Sequence, residues 1–190
     1  ITFNLVKYAK EVVSIDNDKA YIDYCEKKKK DLGVKNLTLI EKDINHLGDL
    51  GKFDVIVSGW VGLHYAQNSK EIIKKLYQLL KKQGKLIIIE AYTGSDYMKI
   101  LNSIRRISEN HISSKQKDLK NCLYQVFSGF KEELVPTYYK FPNIKKVEET
   151  FRIELAYEEG FIWSDKDIMK LRKALGNLND PLKISEPSLF

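Results

Sequence analysis

Short apolar runs that do not alternate with polar residues constrain this chain most. "EVVSI" (residues 11–15), "KFDVIVSG" (52–59) and "KLIIIE" (85–90) are too short to be helices of a normal core. Their lack of alternation marks strands covered on both faces, as in a parallel sheet. Parallel neighbours need crossovers, and the intervening segments supply helices. Residues 19–32 read as one helix, with Asp18 as its N-cap and Gly33 as its stop. "SKEIIKKLYQLLKKQGK" reads as another, its stripe of Ile72, Ile73, Leu76, Leu79 and Leu80 facing inward and Gly84 ending it. "NLTLIEKD" adds a strand over 37–41, and "ITFNLVKYAK" reads as the end of a preceding helix. The order predicts an α/β fold with a doubly wound, mostly parallel sheet.

The second half reads differently. Residues 96–131 predict two helices, "YMKILNSIRRISENH" and "KQKDLKNCLYQVFSGF", followed by an aromatic stretch broken by Pro136 and Pro142. In "VEETFRIELAY", Phe151, Ile153, Leu155 and Tyr157 alternate with Arg152, Glu154 and Ala156. That period of two predicts an antiparallel strand with one wet face. "EEGF" reads as a turn and "FIW" as the start of a partner strand. "SDKDIMKLRKALG" reads as a closing helix with Ser164 and Asp167 in a capping box and Gly176 as its stop. One domain is expected, divided as residues 1–92, an insertion over 93–150, and a closing segment over 151–190.

In such sheets ligands sit outside the carboxyl ends of the strands. Asp16 ends the first strand, Asp43 follows the second, and Ser58-Gly59-Trp60 follow the third. If the three strands lie side by side, these residues share one edge. A carboxylate there can accept both hydroxyls of a ribose, and a second one strand over can accept an exocyclic amine. A glycine lets the backbone approach a ligand closely. The three strand ends together describe a nucleoside slot.

The series "VVSIDND", "LIEKDI", "FDVIVSGWVGLHY", "LKKQGKLIIIE" resembles the class I S-adenosylmethionine-dependent methyltransferases, in particular their type 11 or UbiE-like group. The resemblance covers residues 1 to 92 in order and spacing. It implies a Rossmann-like three-layer α/β/α sandwich, closed by an antiparallel hairpin to which "VEETFRIELAY…FIW" is similar, with residues 93–150 as a helical cap over the substrate. It further implies S-adenosylmethionine as cofactor. Asp16 would bind its ribose hydroxyls with Asn17 near the adenine, and Asp43 would accept from the adenine amine with Ile44 packed on the ring. Ser58, Gly59 and Trp60 would line the methionine end. The family's first strand and glycine-rich loop are expected immediately before Ile1.

His64 and Tyr92 are candidates for a catalytic base or substrate-orienting group, with structural roles as the bland alternative; Glu90 ends the fourth strand near them. Methyl transfer from a sulfonium can proceed by proximity and alignment alone, so no catalytic residue is required by the chemistry. "SGWV" stands where adenine-N6 and glutamine methyltransferases carry an Asn-Pro-Pro-Tyr type signature, which argues against those acceptors. A small-molecule acceptor is expected first and RNA second, the latter because the net charge is +6. An NAD-dependent Rossmann oxidoreductase would also use Asp16, and a non-catalytic subunit binding RNA or protein through the basic face is a third reading. Cys25 and Cys122 have no metal-type spacing and suit a reducing cytoplasm. No metal site is read, no apolar run approaches the roughly 20 residues that span a bilayer, and nothing fixes an oligomeric state.

Overall fold

The structure, a computed structural model, describes residues 1–59, 63, 68–92, 94–105, 109–159, 162–185 and 188–189. Two compact units account for the chain: Ile1–Gly59 with Ala66–Leu86, and Trp60–Tyr65 with Ile87–Phe190.

The first unit opens with a short helix, α1 (Thr2–Leu5), then β1 (Val12–Asp16), α2 (Lys19–Asp31) and β2 (Leu37–Glu41). β1 and β2 pair in parallel from Val12 opposite Leu37 to Asp16 opposite Glu41. Helix α2 begins where the sequence indicates, because the Asp18 side chain accepts from the backbone N–H groups of Ala20 and Tyr21. It stops at a glycine in the left-handed region, Gly33 at φ 63°. Its inner face buries Ile22 and Cys25, the thiol only 1% exposed. The Asn36 amide donates to the carbonyls of Val6 (3.0 Å) and Ala9 (2.9 Å), tying the segment before β1 to the start of β2.

A turn of 3-10 helix at Ile44–His46 leads to β3 (Phe53–Gly59), and α3 (Ser69–Leu79) leads to β4 (Leu80–Ala91). The apolar stripe of α3 is buried as expected. Its end is not where Gly84 was expected to put it. The helix stops at Leu79, Leu80 is already extended, and β4 follows with no linking residue. Gly84 serves another purpose: a Cβ there would stand 3.0 Å from the Phe53 carbonyl oxygen and 3.2 Å from that of Asp54. Glycine is needed for close approach of β4 to β3, not for a helix stop. Gln83, just before it, takes φ 70°.

β1 and β2 form their own two-stranded sheet, and β3 neighbours β4 in another. The expected continuous edge from β1 to β3 is therefore not formed among the described residues. Ladder hydrogen bonds define a sheet, and those of β1 go to β2 alone. Val55 on β3 remains 49% exposed, although its run reads as buried on both faces.

The second unit holds α4 (Asp96–Arg105), α5 (Glu109–Val126), β5 (Leu134–Val135), β6 (Tyr138–Lys140), α6 (Ile144–Glu159), α7 (Asp165–Gly176), β7 (Lys183–Ser185) and β8 (Ser188–Leu189). Of the helix predicted over 97–111, residues up to Arg105 are in α4 and Glu109 to His111 are in α5, while residues 106–108 lie outside the described residues. The strand predicted within "VEETFRIELAY" is a helix. Val147 and Phe151, four residues apart, are both fully buried, which is the helical spacing. Ile153, the next member of the alternating set, is 64% exposed. The lysines and glutamates around them are good helix formers, so tertiary burial and propensity agree against the period of two. Of "EEGF" and "FIW", Glu158 and Glu159 are in α6 rather than in a turn and Ile162 and Trp163 are irregular rather than a strand, while Gly160 and Phe161 lie outside the described residues.

Antiparallel strands do accompany β4, built from other residues. Glu90 and Ala91 pair with Leu189 and Ser188, which in turn pair with Leu134 and Val135. β6 and β7 form a separate antiparallel pair. The core of this unit gathers Tyr97, Ile100 and Ile104 of α4, Val147 and Phe151 of α6, Leu171 and Leu175 of α7, and Ile184 of β7. Tyr97 stacks on Phe151 with ring centroids 5.1 Å apart. Helix α7 starts in the predicted capping box: the Ser164 hydroxyl accepts from the Asp167 N–H, and the Asp167 side chain accepts from the Ser164 N–H. It runs through Gly176 and is capped at Asn177.

Candidate functional site

The parallel register places Asp16 opposite Glu41, and the Lys42 N–H donates to the Asp16 carbonyl at 2.8 Å. The ends of β1 and β2 therefore lie together, with Asp43 one residue beyond the last bond. This part of the predicted edge is formed.

Asp16 is half-buried. Its Oδ1 accepts from the Asp18 N–H at 2.9 Å, which fixes the carboxylate in the turn before α2. No described group donates to Oδ2, so one oxygen is held and the other is open. Asn17, beside it, is exposed. Tyr21, in the first turn of α2, lies near enough for the Asp16 charge to act on it. Partial burial pushes the phenol up, Cys25 adds to this, and the Asp16 carboxylate adds a smaller share. Tyr21 was not among the expected site residues. The signal was an aromatic one turn past the acid, a weak one without coordinates.

Asp43 caps the 3-10 turn. Its Oδ1 accepts from both the backbone N–H and the side-chain amide of Asn45, each at 2.8 Å. These donors, with a small contribution from His46 3.9 Å away, hold the carboxyl below its ordinary range. Asp43 is thus an ionised acceptor at neutral pH with one oxygen committed to the turn. Ile44 opens that turn and is half-buried.

Ser58 and Gly59 end β3, in the same unit but in the other sheet. The Ser58 hydroxyl is buried, the residue being 6% exposed, and has no hydrogen-bond partner among the described residues. A buried orphan hydroxyl costs stability unless something completes it. Trp60 and His64 lie outside the described residues. Tyr92 belongs to the second unit, 37% exposed, with its ring against Gly94.

The two carboxylates with open oxygens at the adjoining ends of β1 and β2 can hold a polar, hydroxyl-bearing ligand; the structure does not bring the Ser58 hydroxyl onto the same sheet edge. Among the described residues no helix is long and apolar enough to cross a membrane.

The sequence profile described as "Methyltransferase domain" matches residues 1–160. Solved structures share the fold. The YcgJ protein of Bacillus subtilis superposes with TM-score 0.59 at 12% identity, over 98% of this chain and 82% of its own. A candidate methyltransferase of Bacillus halodurans gives TM-score 0.64 at 13% identity, over 97% of this chain and 82% of its own. A candidate sarcosine dimethylglycine methyltransferase of Galdieria sulphuraria gives TM-score 0.50 at 14% identity, over 98% and 71%. No curated relative matches at a significant level.

Proposed function

Because the chain belongs to the methyltransferase-domain family and is an S-adenosylmethionine-dependent methyltransferase, we propose that Asp16 holds the cofactor's ribose and that the methyl acceptor is a small molecule. When bound, S-adenosylmethionine supplies an electrophilic methyl group on a sulfonium. What this chain contributes is binding and alignment.

Asp16 carries the reading. The Asp18 N–H fixes one oxygen, so the open one is presented in a set direction. A ribose hydroxyl donating there makes a charge-assisted hydrogen bond. Asn17 stands beside it, toward the base. Asp43 accepts from the adenine amine through the oxygen that Asn45 leaves open, and Ile44 offers an apolar side to the ring. Ser58 donates its hydroxyl at the methionine end, where Gly59 allows close backbone approach. His64 and Tyr92 are the candidates for orienting the acceptor or taking its proton.

A small-molecule acceptor is supported by the Galdieria neighbour, whose name gives sarcosine and dimethylglycine. The free thiols of Cys25 and Cys122 suit a reducing, cytoplasmic setting.

Calorimetry tests the site. S-adenosylhomocysteine should bind the natural protein, and Asp16→Ala should weaken it by about tenfold to a hundredfold, as expected for lost charge-assisted hydrogen bonds. NADH should not bind. NADH binding in its place, or unchanged affinity in Asp16→Ala, would overturn the assignment.

A further inference from the structure

Most lysines whose contacts are given sit beside a carboxylate: Lys19 with Asp23, Lys81 with Asp54, Lys99 with Asp96, Lys131 with Glu133. The β6–β7 pair is built the other way. Lys140 stands directly opposite Lys183 in the antiparallel register. Like charges directly opposed destabilise a strand pair. Neither has a carboxylate within ion-pair distance among the described residues. Both ammonium groups lie over the Tyr138 ring, Lys183 at 4.3 Å and Lys140 at 5.5 Å from its centroid. One ring offsets part of the repulsion, since an exposed cation–π contact contributes modestly.

The platform beneath is fixed. Ile184, between Lys183 and Ser185, is fully buried, and Tyr139 packs its ring 5.6 Å from Tyr97 on the inner side. The alternation of a strand then puts Tyr138, Lys140 and Lys183 together on the outer side. Tyr138 is 47% exposed. Of the acids nearby in sequence, Asp96 accepts from the Ser185 hydroxyl at 2.6 Å with Lys99 beside it, and Asp180 accepts from the Leu182 N–H with no ion pair to either lysine among the described residues.

We propose that the outer face of the β6–β7 pair binds single-stranded nucleic acid, through phosphates on Lys140 and Lys183 and a base on Tyr138. The two ammonium groups rest on the ring in the free protein, and a phosphate that draws them to itself uncovers the aromatic face on which a base stacks. Cations beside an aromatic face are what such a strand requires. A phosphate between the lysines removes the repulsion that the fold leaves uncompensated. A membrane surface fits less well, because the residues of this face are tyrosine, lysine and serine with no aliphatic side chain to insert. The proposal concerns a surface of the second unit and does not rest on the cofactor reading.

The test is fluorescence anisotropy with a labelled oligouridine of about twelve nucleotides. At about 0.1 M salt, K140A/K183A should lose affinity at least roughly tenfold and reduce the log–log salt slope by about 1.4, two phosphates at about 0.7 each. Tyr138→Ala should lose about fivefold or more with its slope unchanged, and Tyr138→Phe should retain binding. K27A/K30A on α2 removes the same charge elsewhere and should change affinity less than about twofold. Equal losses in that control mean net charge alone and overturn the proposal. So does an unaffected Tyr138→Ala, or binding to phosphatidylserine vesicles without binding to the oligonucleotide. All replaced side chains are solvent-exposed or half-exposed, and circular dichroism confirms that each variant is folded.

Discussion

In the first unit Asp16 ends β1 with one oxygen fixed by Asp18 and the other open. In the second unit Glu148 gives both oxygens to Arg172, at 2.7 and 3.2 Å, and clamps α6 to α7. Ser58 and Ser185 repeat the contrast. The first hydroxyl is buried without a partner among the described residues, whereas the second is bonded to Asp96. The cores differ in the same sense: the second unit closes around Phe151 and Tyr97, while Val13 and Val55 of the first unit's strands stay partly exposed. The bonded pairs tie elements of the fold together, whereas the open oxygen of Asp16 and the Ser58 hydroxyl are the groups proposed above to meet a ligand. The second unit is not completed throughout, since the buried side-chain amide of Asn102 in α4 also lacks a hydrogen-bond partner among the described residues.

The largest effect should come from the closed region. Phe151→Ala removes a fully buried ring and should destabilise the second unit by about 3–5 kcal/mol in urea unfolding. A loss below about 1 kcal/mol would mean that this core is not closed. Next is Asp16→Ala, which should cost ligand affinity as stated above while costing about 1 kcal/mol of ligand-free stability, the worth of one turn hydrogen bond. A larger stability loss with unchanged affinity would move Asp16 to the structural side.

Ser58→Ala should leave ligand-free stability unchanged or raise it by about 1 kcal/mol, because it deletes an orphan. Cofactor affinity should fall together with that gain. If Ser58→Ala is strongly destabilising instead, the hydroxyl is satisfied in solution and the contrast with Ser185 fails.

The smallest effect concerns pH. The Arg172 guanidinium bonded to Glu148 holds that carboxyl below its ordinary value near 4.5. A folded-state value below the unfolded one gives stability that is present above about pH 4.5 and lost as pH falls through the folded value. Arg172 is two-thirds exposed, so the pair is worth only about 0.5–1 kcal/mol. The difference between the natural protein and Glu148→Gln should be of that size at pH 7 and shrink toward zero in acid. A difference that persists in acid would show that packing, not charge, ties α6 to α7.

These contrasts were unevenly written in the sequence. β1, α2 and β2 were legible to within a residue or so, because continuous apolar runs and the Asp18 cap are local signals that tertiary structure did not override. The adjoining of Asp16 and Asp43 followed from that order. The position of Ser58 relative to them did not, since which strands share a sheet is a matter of distant hydrogen bonds. Residues 147–157 were misread because their apolar residues fit two periods at once. Only burial of Val147 with Phe151, set by α4 and α7, selects the helical one. The orphan state of Ser58 and the opposition of Lys140 to Lys183 are properties of pairing and have no local signature.

The direct passage from α3 to β4 has a consequence for how this chain can change in length. The helix ends at Leu79 and the strand begins at Leu80, so no residue between them can absorb an insertion. One added residue would turn every later side chain of β4 to the opposite face and move Gly84 away from the Phe53 and Asp54 carbonyls, against which any larger residue would be tight. The turn at Gly48–Gly51, with both glycines in the left-handed region and exposed together with Asp49 just after the buried Leu47, has no such constraint. Length variation in this unit should accumulate there and be absent at the Leu79–Leu80 junction.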